Sequence, residues 1–437
     1  MRMHESKNSV DDSKRKGKTN TPLHPINIMI LVASYPPIIE SAARLYSELS
    51  ESLSAMGHSV TVITEYPDDE RPVDKSHKYY GTRVSRIVLN GVSVLRVSPL
   101  FFLSKYPGGK ALRYFISLLL FTFRGLCTNR QDIILVYSPP LFMGISGYIL
   151  SKVKKTPLVF NLQDIHPKVL FDSGVIENKF IKMILSRMEE FCYRKAHSFI
   201  VYSAGNKDYL LGKGVDRAVF IIPNWVDTTA RGAYERINSF RKDKLIGDKF
   251  VVSYAGTMQQ AQGLEIVVEA AAALKEYNDI IFILAGEGSS KTALQNLIRE
   301  KNVSNVLLRP VMPKDSYIQF IYASDVCLVT LSADIPLQTV PGKLADIMAC
   351  GKPIIAAVRQ QGDAASIIRQ AGCGFHVDPG DIEAFSKAVL RMYRDEVLRK
   401  EMGVRARLYA EQYFSRDTCT KHYEEVLLSA MRDGRYV

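Results

Sequence analysis

The six cysteines of this chain, Cys127, Cys192, Cys327, Cys350, Cys373 and Cys419, show no Cys-x-x-Cys spacing and no clustering. That absence excludes a disulfide framework and a structural zinc site. Four of the six lie inside apolar segments, as reduced core thiols of a cytosolic protein do. The start of the chain lacks the apolar core of a secretory leader, and residues 1–24 read as a disordered, basic extension. The longest run without charge, Ile133 to Ser151, is divided by Pro139, Pro140, Gly144 and Gly147 into a strand, a turn and a short helix. No membrane-spanning helix is therefore expected. There is no Walker A loop, and the glycine-rich dinucleotide fingerprint is missing: "VASYPPIIESAA" has no glycine and "AGEGSS" only two. No Asp-x-Asp pair or His/carboxylate spacing calls for a metal, so neither a metal nor another cofactor is expected.

What is present is an ordinary globular composition. Of 437 residues, 47% are hydrophobic and 23% charged, which suits two domains of about 150–200 residues each. The formal charge of +12 is uneven: residues 1–225 hold 30 Lys and Arg against 19 Asp and Glu, whereas residues 226–437 hold 27 against 26. A basic half suits an anionic partner, whether a phospholipid surface, a lipid diphosphate or nucleic acid. Five of its cations, between Lys7 and Lys18, belong to the extension.

From Ile26 onward, short β-rich runs alternate with helical patterns: "INIMILVAS", "SVTVIT", "DIILVYS", "PLVFNLQ", "SFIVYS" and "AVFIIP". The rhythm pauses in a polar stretch and restarts with "FVVSYAG", "IIFILAGEG", "NVLLRP", "VCLVTLS" and "KPIIAAV". This predicts an α/β protein of two Rossmann-like domains, residues 25–226 and 250–415, joined by a linker over 227–249 and closed by a helix over 416–437. Ligands of open parallel sheets bind beyond the strands' carboxyl ends, so the two units would hold a ligand in the cleft between them.

Seven stretches carry a resemblance: "ASYPP" (33–37), "MGHSVTVIT" (56–64), "NLQDIHP" (161–167), "IIPNWVD" (221–227), "YAGTMQQAQGLE" (254–265), "ILAGEGSS" (283–290) and "VPGKLADIMACGKPIIA" (340–356). In order and spacing the chain resembles glycosyltransferase family 4, retaining enzymes of the GT-B fold, and in particular its bacterial branch that builds surface polysaccharides. The resemblance implies two domains facing across a cleft, with C-terminal helices packing back toward the first. It also implies a metal-independent transfer from a nucleotide-diphosphate sugar, most often UDP-linked, to a lipid-linked or glycan acceptor.

The implied residues follow by register. The family carries a glutamate, seven residues and a second glutamate; these positions fall on Gln338, facing the donor sugar, and Asp346, holding the ribose hydroxyls. Thr339 and Val340 share that loop, Pro341 suits the first position of the helix that follows, and Lys343 adds a point charge toward the diphosphate. Gly256 and Thr257 end a strand where backbone approaches the diphosphate, and Gln262 and Gly263 open the next helix. Relatives place Arg or Lys in that loop, where this chain has Gln259 and Gln260. Glu287 and the loop of Val311 are expected near the base. Asp164 and His166 emerge at a strand's carboxyl end beside the acceptor hydroxyl, where Asp164 would position rather than deprotonate. Tyr35, Pro36, Glu40 and Ser41 form the acceptor side, Glu40 and Ser41 standing where the family has a Gly-Gly pair.

The helix "LRYFISLLLFTFRGL" (112–126), with Lys105, Lys110, Arg113, Arg124 and Arg130 around it, resembles the interfacial helix on which related enzymes rest at a membrane. The partners expected are thus a nucleotide sugar, a lipid-linked or glycan acceptor and a membrane surface reached through residues 105–130, with no nucleic acid. The expected location is the cytoplasm, at the inner face of the plasma membrane where that helix docks. Plainer readings stand beside these: a solvated Lys343 and Asp346, Asp164 as a helix cap, residues 112–126 as core. The alternative functions are a UDP-sugar 2-epimerase of the same architecture and a degenerate, non-catalytic partner protein.

Overall fold

The structure is a computed structural model that describes residues 25–67, 72–76, 85–98, 100–106, 108–172, 176–229, 239–242, 246–334 and 340–433. The first sheet takes β1 (Asn27–Leu31), β2 (Ser59–Glu65), β3 (Arg86–Leu89), β4 (Val92–Val97), β5 (Ile133–Ser138), β6 (Leu158–Leu162), β7 (Ser198–Val201) and β8 (Ala218–Ile221). Their order is β3-β4-β2-β1-β5-β6-β7-β8. All pair in parallel except β3 with β4, a hairpin turned by Asn90 and Gly91, both at positive φ. Around it lie α1 (Ser41–Ala55), α2 (Gly109–Leu126), α3 (Phe142–Lys154), α4 (Lys168–Asp172), α5 (Lys179–Lys195) and α6 (Ala204–Gly212).

The second sheet takes β9 (Phe250–Ala255), β10 (Ile280–Ala285), β11 (Val306–Arg309), β12 (Val326–Thr330), β13 (Ile354–Ala357) and β14 (Gly374–Val377). It is all parallel, in the order β11-β10-β9-β12-β13-β14. Its helices are α7 (Glu265–Ala273), α8 (Lys291–Glu300), α9 (Lys314–Ala323), α10 (Lys343–Ala349), α11 (Asp363–Ala371), α12 (Ile382–Arg394) and α13 (Glu396–Tyr413), and α14 (Arg416–Asp433) follows. Strands such as β6 and β10 are buried at every residue. That is why their sequences read as unbroken apolar runs: helices cover both faces.

α14 returns to the first sheet. Its Cys419, Tyr423, Val426 and Leu427 share one apolar cluster with Ile28, Tyr46, Leu135 and Trp225. The Asn161 amide on β6 donates to the hydroxyls of Tyr46 (2.7 Å) and Tyr423 (2.5 Å), fixing that helix to the sheet. The chain thus crosses between the sheets twice, and the crossings lie side by side, the Val226 N–H donating to the Phe414 carbonyl at 2.9 Å.

The described part of the predicted linker is not uniformly exposed. Arg241 is buried against the second sheet, donating to the Ala323 carbonyl (2.8 Å) and to Asp325 (2.6 Å), whose carboxylate also accepts from the Val251 N–H.

α2 presents its apolar stripe outward. Leu112, Phe115, Leu119, Phe123 and Leu126 are exposed, Phe123 by 67%, while Ser117, Phe121 and Gly125 face inward. The inward face is held by polar contacts: Arg113 pairs with buried Glu65 on β2 (3.4 Å), which also accepts from the Ser117 hydroxyl (3.1 Å). The reading of residues 112–126 as core is therefore set aside. Among the described residues no helix is long and apolar enough to cross a membrane.

Candidate active site

In each sheet the strand order reverses beside its first strand, between β1 and β5 and between β9 and β12. Crevices open at such switch points. Between the two halves lies a cavity of about 720 Å³, lined from one side by Pro36 to Ser41, Arg44, Glu48, Tyr202 and Asn224, and from the other by Tyr317, Val340, Pro341, Ala345 and Asp346. Of the residues expected from sequence, Pro36, Glu40, Ser41, Val340 and Asp346 line this cavity.

The wall from the second half is built from α9 and the start of α10, and behind α10 Lys343 packs against the loop after β9. Gly286 and Gly288 let the loop after β10 press against it: a Cβ at 286 would lie 1.8 Å from the Gly256 carbonyl oxygen. The next turn differs from expectation. Gln260–Gln262 form a 3-10 turn, Gly263 takes φ 56°, and α7 starts only at Glu265. The left-handed backbone of Gly263 turns the chain sharply enough for its α-carbon to pack on the Ser332 backbone. Pro341 likewise precedes α10 by two residues instead of opening it, with Gly342 as N-cap.

Lys343, at the first turn of α10, reaches back under this loop. Its Nζ lies 3.6 Å from the Tyr254 ring centroid and beside Gly256, buried and, among the described residues, without a hydrogen-bond partner. Burial pulls its pKa down from 10.5 to about 7, because a desolvated ammonium with only a ring face beside it favours the neutral form. The Tyr254 hydroxyl donates to the Thr257 carbonyl (2.6 Å) and contacts Gln262 (3.2 Å). Gly256, Thr257, Gln262 and Lys343 thus meet around one tyrosine that sequence reasoning passed over. The signal for it was its place, two residues before the glycine that ends the strand.

On the facing wall, Glu40 is the N-cap residue of α1, its carboxylate accepting from the Ser34 hydroxyl at 2.5 Å. Asp164 makes no side-chain hydrogen bond among the described residues. It is reachable by solvent yet ringed by protein, which raises its pKa, while His166 two residues on draws it back; His166 is lowered by the same burial. Asp164, His166 and Tyr137 stand outside the residues that line the cavity, and Tyr137 feels both carboxylates. Its hydroxyl is pushed far up by burial, and then by the negative charges of Asp164 and Glu40. Two carboxylates from separate loops therefore act on one buried phenol, a grouping that no local motif announces.

Other expected residues stand elsewhere. Tyr35 is buried in the first core. Glu287 forms an exposed pair with Lys291 (2.6 Å), and Val311 is exposed. Gln338 and Thr339 lie outside the described residues. The halves are also joined directly, the Gly205 N–H at the start of α6 donating to both Asp363 carboxylate oxygens (3.1 and 3.2 Å).

Comparison with known proteins agrees in both halves. The family description "Glycosyl transferase 4-like domain" matches residues 42–225, and "Glycosyl transferases group 1" matches residues 235–409. A protein of Escherichia coli (strain K12) named for colanic acid biosynthesis, the glycosyl transferase WcaI, is 22% identical over 91% of this chain and 98% of its own. Among solved structures, the sucrose-phosphate synthase of Thermosynechococcus elongatus superposes with a TM-score of 0.68 at 16% identity, covering 93% of this chain and 99% of its own. Anabaena Alr3699/HepE, solved in complex with UDP, gives 0.67 at 16% identity, covering 92% and 100%. With its two halves matched by the two halves of one enzyme family, and its fold shared with such enzymes from end to end, the chain belongs to glycosyltransferase family 4, of the GT-B fold.

Proposed function

We propose that this glycosyltransferase moves a sugar from a nucleoside diphosphate donor, UDP-linked, to a lipid-linked or glycan acceptor at a membrane surface, with retention and without a metal. One observation carries the reading: the buried ammonium of Lys343 has no hydrogen-bond partner among the described residues, and it lies against the Gly256 backbone just past the end of β9. A buried cation without a partner is costly, and a donor diphosphate supplies the missing charge. Lys343 then does from α10 what the family does from the loop where this chain has Gln259 and Gln260. Neutralising the leaving diphosphate is the main electrostatic demand of this transfer, and a protein ammonium meets it without a metal. The names of similar proteins, one for colanic acid biosynthesis and one bound to UDP, support the choice of donor and acceptor class.

Asp346 faces the cavity from the same short helix and takes the ribose hydroxyls in this reading. Asp346→Ala weakens UDP binding by about 1–3 kcal/mol, the usual loss when buried hydroxyls lose a charged acceptor. Titration calorimetry checks it, and unchanged binding places the ribose elsewhere. Asp164 positions the acceptor hydroxyl, and the departing phosphate takes the proton. Asp164→Asn accordingly lowers kcat at least tenfold, about 1.4 kcal/mol, with the donor Kd unmoved. A variant that turns over donor normally removes Asp164 from the reaction.

The membrane contact in this reading is the outward stripe of α2. Arg113 and Arg124 are poor probes for it. Arg113 neutralises Glu65, and Arg124 donates to the Ser85 carbonyl (3.0 Å), so their loss would disturb the fold. The exposed Phe115 and Phe123 test it cleanly.

A further inference from the structure

α5 lies on the same side of the first sheet as α2, with α3 packed between them. Its first half exposes Phe180, Ile181, Met183 and Ile184, Phe180 by 64%. Between α3 and α5 runs an open groove of about 450 Å³, lined by Ile145, Met183, Ile184, Met188 and Phe191, with Arg187 at its rim. Contiguous exposed apolar surface of this kind marks an interaction site.

The charge around it selects the partner. α5 alone carries five cations, Lys179, Lys182, Arg187, Arg194 and Lys195, against two carboxylates, Glu189 and Glu190. Glu189 is itself buried and bonded to Lys213 and Tyr209. Lys179 and Arg187 make no ion pair among the described residues. A face so one-signed, with apolar side chains between its cations, matches an anionic bilayer better than another protein surface, whose rim would need mixed charge. The groove walls include two methionines, flexible side chains that mould to an irregular occupant.

Resting on the membrane reading above, we propose that the first half of α5 is a second membrane-inserting element, and that the α3–α5 groove takes one acyl chain of an anionic phospholipid with Arg187 against its phosphate. α2 and α5 then touch the bilayer as two feet, which fixes the tilt of the first domain and so the direction in which the cleft opens. One helix alone would leave the protein free to rock about its axis.

The test uses the full chain and vesicles of phosphatidylcholine with or without phosphatidylglycerol. The parent floats with the anionic vesicles only. Ile181→Ser with Ile184→Ser, both at exposed positions, lowers flotation, and Arg187→Gln alone lowers it about fivefold, the effect of one surface cation. Insertion is read separately by Ile184→Trp. The one native tryptophan, Trp225, is buried, so quenching by lipids brominated along their chains reports the new site. Quenching supports the proposal. Absence of quenching, together with full flotation of the serine pair, overturns it while leaving α2 in place if Phe115→Ser with Phe123→Ser loses flotation. A parent that does not float removes the membrane reading and this proposal with it. A dimer in sedimentation velocity that the serine pair abolishes, in a protein that ignores vesicles, assigns the face to a second copy and overturns the proposal equally.

Discussion

Replacing Lys343 with methionine weakens UDP binding on the order of a hundredfold and at the same time makes the empty protein more stable. Both effects come from one buried ammonium. With donor bound it faces a diphosphate, and losing a buried charge-assisted contact costs about 3 kcal/mol, on the order of a hundredfold in Kd. With the cleft empty it lies over the Tyr254 ring beside the Gly256 backbone, and its pKa falls from 10.5 to about 7. Below pH 7 the folded and unfolded states both hold the proton, and the full cost of burying the charge weighs on the fold. Between pH 7 and 10.5 the unfolded chain binds more protons, so stability rises with pH. Above that range the cost is gone. The methionine variant should therefore melt higher than the parent at pH 6, with the gap closing toward pH 10. UDP affinity of the parent should fall as pH climbs above 7, since the diphosphate requires the charged form. Thermal melts and calorimetry across this range settle both, and a parent whose UDP affinity is flat from pH 6 to 9 would separate Lys343 from the donor.

The second large effect is structural. Asp325→Ala leaves the Arg241 guanidinium charged, nearly inaccessible and without the carboxylate it pairs with at 2.6 Å. It also strands the Val251 N–H. Breaking such a pair from one side costs about 3–5 kcal/mol, or roughly 10 °C in the melting temperature of a domain of this size. The double variant Asp325→Ala with Arg241→Met should lose less than the sum of the two single changes, because the stranded charge goes with its partner. Additive losses would mean that the two side chains act independently.

Much of this architecture could be read before any coordinates. The alternation of apolar runs with helical patterns separates the strands, and because parallel strands are buried on both faces their runs are conspicuous. "DIILVYSPP" foretold a strand, a turn and a helix, and β5 and α3 stand there. The boundaries that failed were backbone ones. Pro341 reads as a first helical residue, yet α10 waits for Lys343; Gly263 reads as helix, yet its positive φ makes it a turn. Local residue preferences do not distinguish a proline at a helix start from one just before it. The candidate site was half legible. Single motifs located Lys343, Asp346 and Asp164, but Tyr254 and Tyr137 matter through what surrounds them, and the Gly205–Asp363 contact joins residues 158 positions apart. Tertiary pairings of that range leave no trace in one sequence. α2 was the ambiguous segment: fifteen residues rich in Leu and Phe fit an interfacial helix or core equally well, and the inward Arg113, Ser117 and Gly125 show which way the helix faces.

The return of α14 to the first sheet bears on how the chain is made. Synthesis delivers β1 through β8 early, but Tyr46, Asn161 and Trp225 await Tyr423 and its neighbours, which come last. At roughly 5–20 residues per second, the intervening two hundred residues or so take about 10–40 s. Throughout that interval the nascent first domain exposes an apolar trough one helix wide. A ribosome-bound chaperone has an address there, and a chain released before Tyr423 is translated carries the same trough permanently.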